Sequence, residues 1–101
     1  MLEIIFDTPF LNTIDGKRWS HVSSNDVNYL HEFAKKVGLR RQWFQNKYGF
    51  PHYDTYSDNI RRKMLIMGAR QVDRKTFWLQ VNKWYKSNFT DGKVPHQQER
   101  G

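Results

Sequence analysis

Residues 2–6 read Leu-Glu-Ile-Ile-Phe and run directly into Asp7-Thr8-Pro9. A short, nearly continuous apolar run predicts a strand covered on both faces, the mark of a central parallel strand. Pro9 has no amide hydrogen to give to a ladder, so the strand is expected to stop there. Asp7 then falls at its carboxyl end, where ligands of open α/β sheets bind.

Working outward, residues 10–17 read as a loop with Asp15-Gly16 as its turn signal, and residues 18–24 continue it towards a helix. Ser24, Asn25 or Asp26 caps that helix, Val27, Leu30, Phe33, Ala34 and Val37 recur at helical spacing, and Gly38 supplies the left-handed stop. Residues 40–45 are too few for another helix before the Tyr48-Gly49-Phe50-Pro51 loop and predict a second strand. Thr55 or Ser57 caps a second helix with Ile60, Met64 and Met67 on its apolar face, ended by Gly68. Residues 69–72 predict a third strand, and Asp73 caps a third helix that turns Phe77, Val81 and Trp84 inward. The alternation of strand and helix predicts an α/β fold: a small three-layer-like domain with a short, mostly parallel sheet of about three strands flanked by helices. Residues 1–89 form this single domain, and residues 90–101 read as a polar, flexible tail.

The chain has 101 residues and a net charge of +7, a length that fits one domain. Cysteine is absent, which excludes disulfides, thiolate metal sites and cysteine nucleophiles, and fits a reducing compartment. No apolar run approaches the roughly 18 residues of a membrane span, and the first residues lack a basic leader region. The expectation is a cytoplasmic protein with no membrane partner. Aromatic residues make up 16% of the chain against 38% for all hydrophobic types, so rings must supply much of the core. The positive charge favours anionic partners such as nucleic acid or nucleotides.

Several short motifs stand in one order along the chain: Asp7-Thr8-Pro9, Trp19-Ser20-His21-Val22-Ser23-Ser24, Leu30-His31-Glu32-Phe33-Ala34, Val37-Gly38-Leu39, His52-Tyr53-Asp54 and Met67-Gly68-Ala69. In these the sequence resembles a bacterial and phage family known as domain of unknown function 4031, over roughly residues 1 to 80. It departs from the family where Asn25, not an acidic residue, follows Ser24, and in a longer, more aromatic third helix and tail. The resemblance implies a fold and the place of a site, and brings no activity with it.

Asp7, His21, His52 and Asp54 form the candidate catalytic set, because both strand ends are expected to open on one cleft. Imidazole with carboxylate suits a divalent metal ion such as Zn, Mn or Fe, with His21, His52 and Asp54 as ligands. The same groups can act as general acid and base on a phosphoester without a metal. The structural alternative is that the carboxylates cap loops and helices while the histidines bond backbone carbonyls. His31 reads as a histidine at the edge of the core, and His96 as incidental to the tail. For anion or nucleic-acid binding the candidates are Arg40, Arg41, Lys47, Tyr53, Arg61, Arg62 and Arg70, since guanidinium groups match phosphate and rings stack on bases. No Gly-rich phosphate loop, Gly-x-Ser-x-Gly turn or His-Glu-x-x-His is present. The leading expectation is a protein that binds a phosphate-bearing ligand at a His/Asp cleft, with hydrolysis in reach. The alternative is a non-enzymatic accessory protein that binds a partner macromolecule through basic and aromatic surface.

Overall fold

Residues 18–24, whose polar composition predicts a loop, form the strand at the centre of the molecule. In the computed structural model, which describes residues 1–46 and 49–86, the chain runs β1 (Ile4–Asp7), β2 (Phe10–Leu11), β3 (Arg18–Ser24), α1 (Val27–Val37), a 3₁₀ turn (Arg41–Trp43), β4 (Phe44–Gln45), β5 (His52–Thr55), α2 (Asp58–Ile66), β6 (Arg70–Val72) and α3 (Arg74–Tyr85). The tail at 90–101, with His96, and Lys47 and Tyr48 lie outside the described residues.

The six strands form one mixed sheet in the order β4-β5-β3-β1-β6, with β2 also paired to β3. Among the described residues only β1 and β6 run parallel; every other pair is antiparallel. The mostly parallel, three-stranded sheet expected from the sequence is therefore corrected to a mostly antiparallel, six-stranded one. The error came from β3. Its Ser20, Ser23 and Ser24 look like loop residues, yet all three are buried with their hydroxyls engaged. Ser23 donates to the Pro51 carbonyl at 2.7 Å, Ser20 accepts from Arg61, and Ser24 accepts from the Asp26 amide. Small hydroxyl side chains satisfied in this way can be buried without penalty.

β1 ends at Asp7, ahead of Pro9 as expected, and pairing with β3 resumes at β2. Ile4 pairs with Ser24 and Phe10 with Trp19, so the register shifts by one residue across Thr8-Pro9. The prolyl nitrogen, with no hydrogen to donate, sits where the shift leaves a residue unpaired, as in a bulge. Residues 40–45 are likewise only in part a strand, because the 3₁₀ turn takes Arg41–Trp43. His52–Thr55, beyond the expected 48–51 loop, is a strand, β5.

The helices stand close to expectation. Asp26, Ser57 and Asp73 each accept a bond from the backbone amide three residues on, and Gly38 closes α1 with a φ of 94°. Alternation along β1 divides the core in two. Ile4 and Phe6 join Val22, Tyr53, Leu30, Phe33, Val37 and Met64 against α1 and α2. Ile5 points the other way and meets Phe77 and Val81 of α3. The sheet is thus covered on both sides, which gives three layers. Along α2, Met64 is buried and Ile60 packs on the core as expected, but Met67 is exposed and Arg61 is buried instead.

A candidate acid–base site across three strands

Period-two alternation brings the site together. Phe6, Val22 and Tyr53 face α1 and α2, so their neighbours Asp7, His21, His52 and Asp54 face α3. His21 lies opposite Asp54 in the β3–β5 ladder, and the β1–β3 register sets Asp7 opposite His21 on the other side. The four residues join not because parallel strands end at one edge, but because β3 lies between β1 and β5. His21 is consequently the centre of the row.

Asp7 is fully buried. Its Oδ1 accepts the His21 backbone amide at 2.5 Å, and its Oδ2 lies 2.8 Å from His21 Nδ1. A fully buried carboxylate holds its charge only when paired and hydrogen-bonded. The pairing puts the His21 proton on Nδ1 and leaves Nε2 facing outward, 3.8 Å from Asp54 Oδ1. His52 is fixed in the same sense. Its Nδ1 donates to the Phe50 carbonyl at 2.8 Å, and its Nε2 lies 3.6 Å from the same Asp54 oxygen. Burial is the main force pushing the His52 imidazole below its ordinary pKa, opposed by the Phe50 carbonyl and the Asp54 charge. Near neutral pH His52 is therefore uncharged, with its lone pair on Nε2.

Asp54 takes Gln45 Nε2 on Oδ2, whereas its buried Oδ1 has no hydrogen-bond partner among the described residues. Rings complete the site. Phe10 stacks on His21 at 5.4 Å, and Trp78 meets His21 at 5.0 Å and His52 at 5.6 Å edge-on. The Arg74 guanidinium lies 3.9 Å from the centre of the Phe10 ring. Among the described residues no group of three or more His, Asp or Glu is set to hold a metal ion. The divalent-ion expectation for His21, His52 and Asp54 is therefore not carried forward.

The basic candidates do not form one patch. Arg40 and Arg41 are exposed ahead of β4 at one edge of the sheet, while Arg70 is on β6 at the other, paired with Glu3. Arg62 is exposed and bonded to Asn59. Two candidates are corrected outright. Tyr53 is 1% exposed, its hydroxyl 2.8 Å from His31 Nδ1, so it cannot stack on a base. Arg61 is 7% exposed and reaches the Arg18 carbonyl, the Ser20 hydroxyl and Asp58. Arg61→Ala should cost roughly 1–3 kcal/mol by leaving buried groups unpaired, whereas Arg62→Ala should stay within about 0.5 kcal/mol of the parent. Urea unfolding of the two variants checks this, and equal midpoints would refute an internal role for Arg61.

Gln45, Phe10 and Trp78 escape the sequence reading. For Trp78 a signal exists, a large ring next to Phe77 on the third helix. Gln45 left none, because its role depends on the pairing of β4 with β5.

The chain belongs to the family described as protein of unknown function (DUF4031), whose model matches residues 4–83. That span contains every residue of the row. Comparisons with curated proteins and with solved structures each found no match. Among the described residues no helix is long and apolar enough to cross a membrane.

Proposed function

We propose that this protein binds a phosphate-bearing ligand, a nucleotide or a nucleic-acid strand, and hydrolyses a phosphoester in it by acid–base chemistry. The observation that carries the reading is the convergence of two histidine Nε2 atoms on one buried, unpartnered carboxylate oxygen. Each imidazole is locked by its Nδ1 partner, so neither can turn its reactive nitrogen away. A buried polar atom without a partner calls for an explanation, and a role in binding or catalysis is one. His52, kept neutral by burial, suits the base that takes a proton from the attacking water. His21 in its doubly protonated form, its imidazolium paired with Asp7 through Nδ1, suits the acid that gives its Nε2 proton to the leaving oxygen. Asp54 sets a carboxylate oxygen between the two Nε2 atoms. Arg74, one ring away from His21, places a cation beside the phosphate.

The interaction-protein alternative requires no such convergence, and splayed side chains would have favoured it. The test is binding of a labelled single-stranded oligonucleotide across a salt series, followed by assay of phosphodiester cleavage. Affinity should fall linearly with the logarithm of salt, because neutralised phosphates release counterions. Replacing both Arg40 and Arg41 with Ala should flatten the slope by about 1.4 if each meets one phosphate. Binding indifferent to salt, with no cleavage, would hand the case to the alternative.

A further inference from the structure

A groove of about 630 Å³ opens away from the histidines. It meets the acid–base row only at Asp54, and its walls are Trp19, Trp43 and Tyr56, with Gln42 and Gln45 beside them. That volume falls within the range of roughly 300–1,000 Å³ typical of small-molecule sites. Resting on the function proposed above, we infer that this groove is the base subsite for an unpaired nucleotide, whose phosphoester lies at the Asp54 end.

Three observations carry the assignment. First, the walls are rings. Trp19 and Tyr56 meet edge-on at 5.0 Å, and the Trp19 indole is fixed by a 2.9 Å bond from its Nε1 to Asp15. Rings held in place in this way offer a base a stacking surface at small entropic cost. Second, the polar groups are amides. A glutamine presents a donor and an acceptor side by side, the pattern that matches the edge of a heterocyclic base. Gln45 also donates to Asp54, so a ligand touching Gln45 abuts the acid–base row. Third, cations border the rings on both sides. Lys17 Nζ lies 4.1 Å from the centre of Tyr56, and the Arg40 guanidinium lies 5.6 Å from the centre of Trp43. Stacking surface flanked by positive charge is complementary to a base with phosphates at its ends. A base still paired in a duplex cannot enter, because its faces and its pairing edge are already occupied.

Four probes are titrated against the protein with tryptophan fluorescence as the readout: a nucleoside monophosphate, a single-stranded oligonucleotide, the same strand with abasic sites, and its duplex. The single strand should bind more tightly than its abasic counterpart and its duplex. Tyr56→Ala and Trp19→Ala should each weaken the base-containing strand by roughly 5- to 150-fold, the loss typical of one stacked base. The abasic strand should be unaffected by either change. Tyr56 is 49% exposed, so its removal leaves the core intact. If the monophosphate competes as well as the strand, the subsite serves free nucleotides; if only the strand competes, it serves nucleic acid. Either result supports the assignment. Abasic and intact strands binding equally, with salt dependence retained, would overturn the base subsite and leave phosphate binding standing. No binding by any of the four probes would overturn both, and so would a groove that takes a neutral oligosaccharide while ignoring nucleotides.

Discussion

Phosphoester turnover by His52→Gln is expected to be lower than the parent's by roughly 10²- to 10⁴-fold, the usual contribution of a positioned general base. The fold should survive the change. Glutamine fills similar space, and the bond from His52 Nδ1 to the Phe50 carbonyl is worth about 1 kcal/mol, a shift in melting temperature of roughly 4–8 °C for a domain of this size. Phe33→Ala should behave in the opposite way. Phe33 is 5% exposed in the core between α1 and the sheet, and core Phe→Ala changes cost about 3–5 kcal/mol. Against a total of roughly 5–15 kcal/mol that loss unfolds much of the population near body temperature, while the protein that remains folded keeps its site. If His52→Gln melts as early as Phe33→Ala, His52 is a structural residue and the acid–base assignment is withdrawn.

The lowered pKa of His52 adds a pH signature. Below the ordinary imidazole value of 6.5 the unfolded chain takes up a proton that the folded chain still refuses. Stability therefore falls as pH drops between 6.5 and the lower folded value, and the loss is complete below both. The neighbouring Asp54 and Asp7 charges oppose the shift and His21 adds to it, but burial sets its direction. His52→Gln should remove this part of the acid-side loss. The acid limb of turnover should likewise lie below the usual imidazole range.

Asp7→Ala should damage fold and site together. It strands the His21 backbone amide and Nδ1 hydrogen against a vanished acceptor, at roughly 1–3 kcal/mol for each buried donor. It also frees the His21 ring to turn. Asp7→Asn separates the two effects. Its oxygen can still accept the His21 amide, but its NH₂ group meets Nδ1, which favours the tautomer with the proton on Nε2. The expected result is a small loss of stability with a large loss of turnover. Asp7→Asn as active as the parent would show that Asp7 only supports the fold.

How much of this was legible in advance differs by element. The helices were, because each carries its own signals: a capping carboxylate or hydroxyl, apolar residues at helical spacing, and in α1 a glycine in the left-handed conformation after the last turn. Asp7, His21, His52 and Asp54 were nameable because few side chains besides imidazole and carboxylate do acid–base work near neutral pH. The fate of Arg61 was not legible. A triplet of basic residues on a short helix usually faces solvent, and Arg61 is held inside by acceptors on β3, the Arg18 carbonyl and the Ser20 hydroxyl.

Local residue patterns carry the helices, the α/β class, the charge and the chemistry available. The tertiary structure decided the direction of the strands and, with it, the site. Strand direction depends on which chain segments pair across the sheet, and no window of sequence records that pairing when the central strand is built of serines. Once β3 lies between β1 and β5, alternation alone places Asp7, His21, His52 and Asp54 on one face. Burial then supplies what residue identity cannot: a neutral His52, a paired Asp7 and an Asp54 oxygen left without a partner.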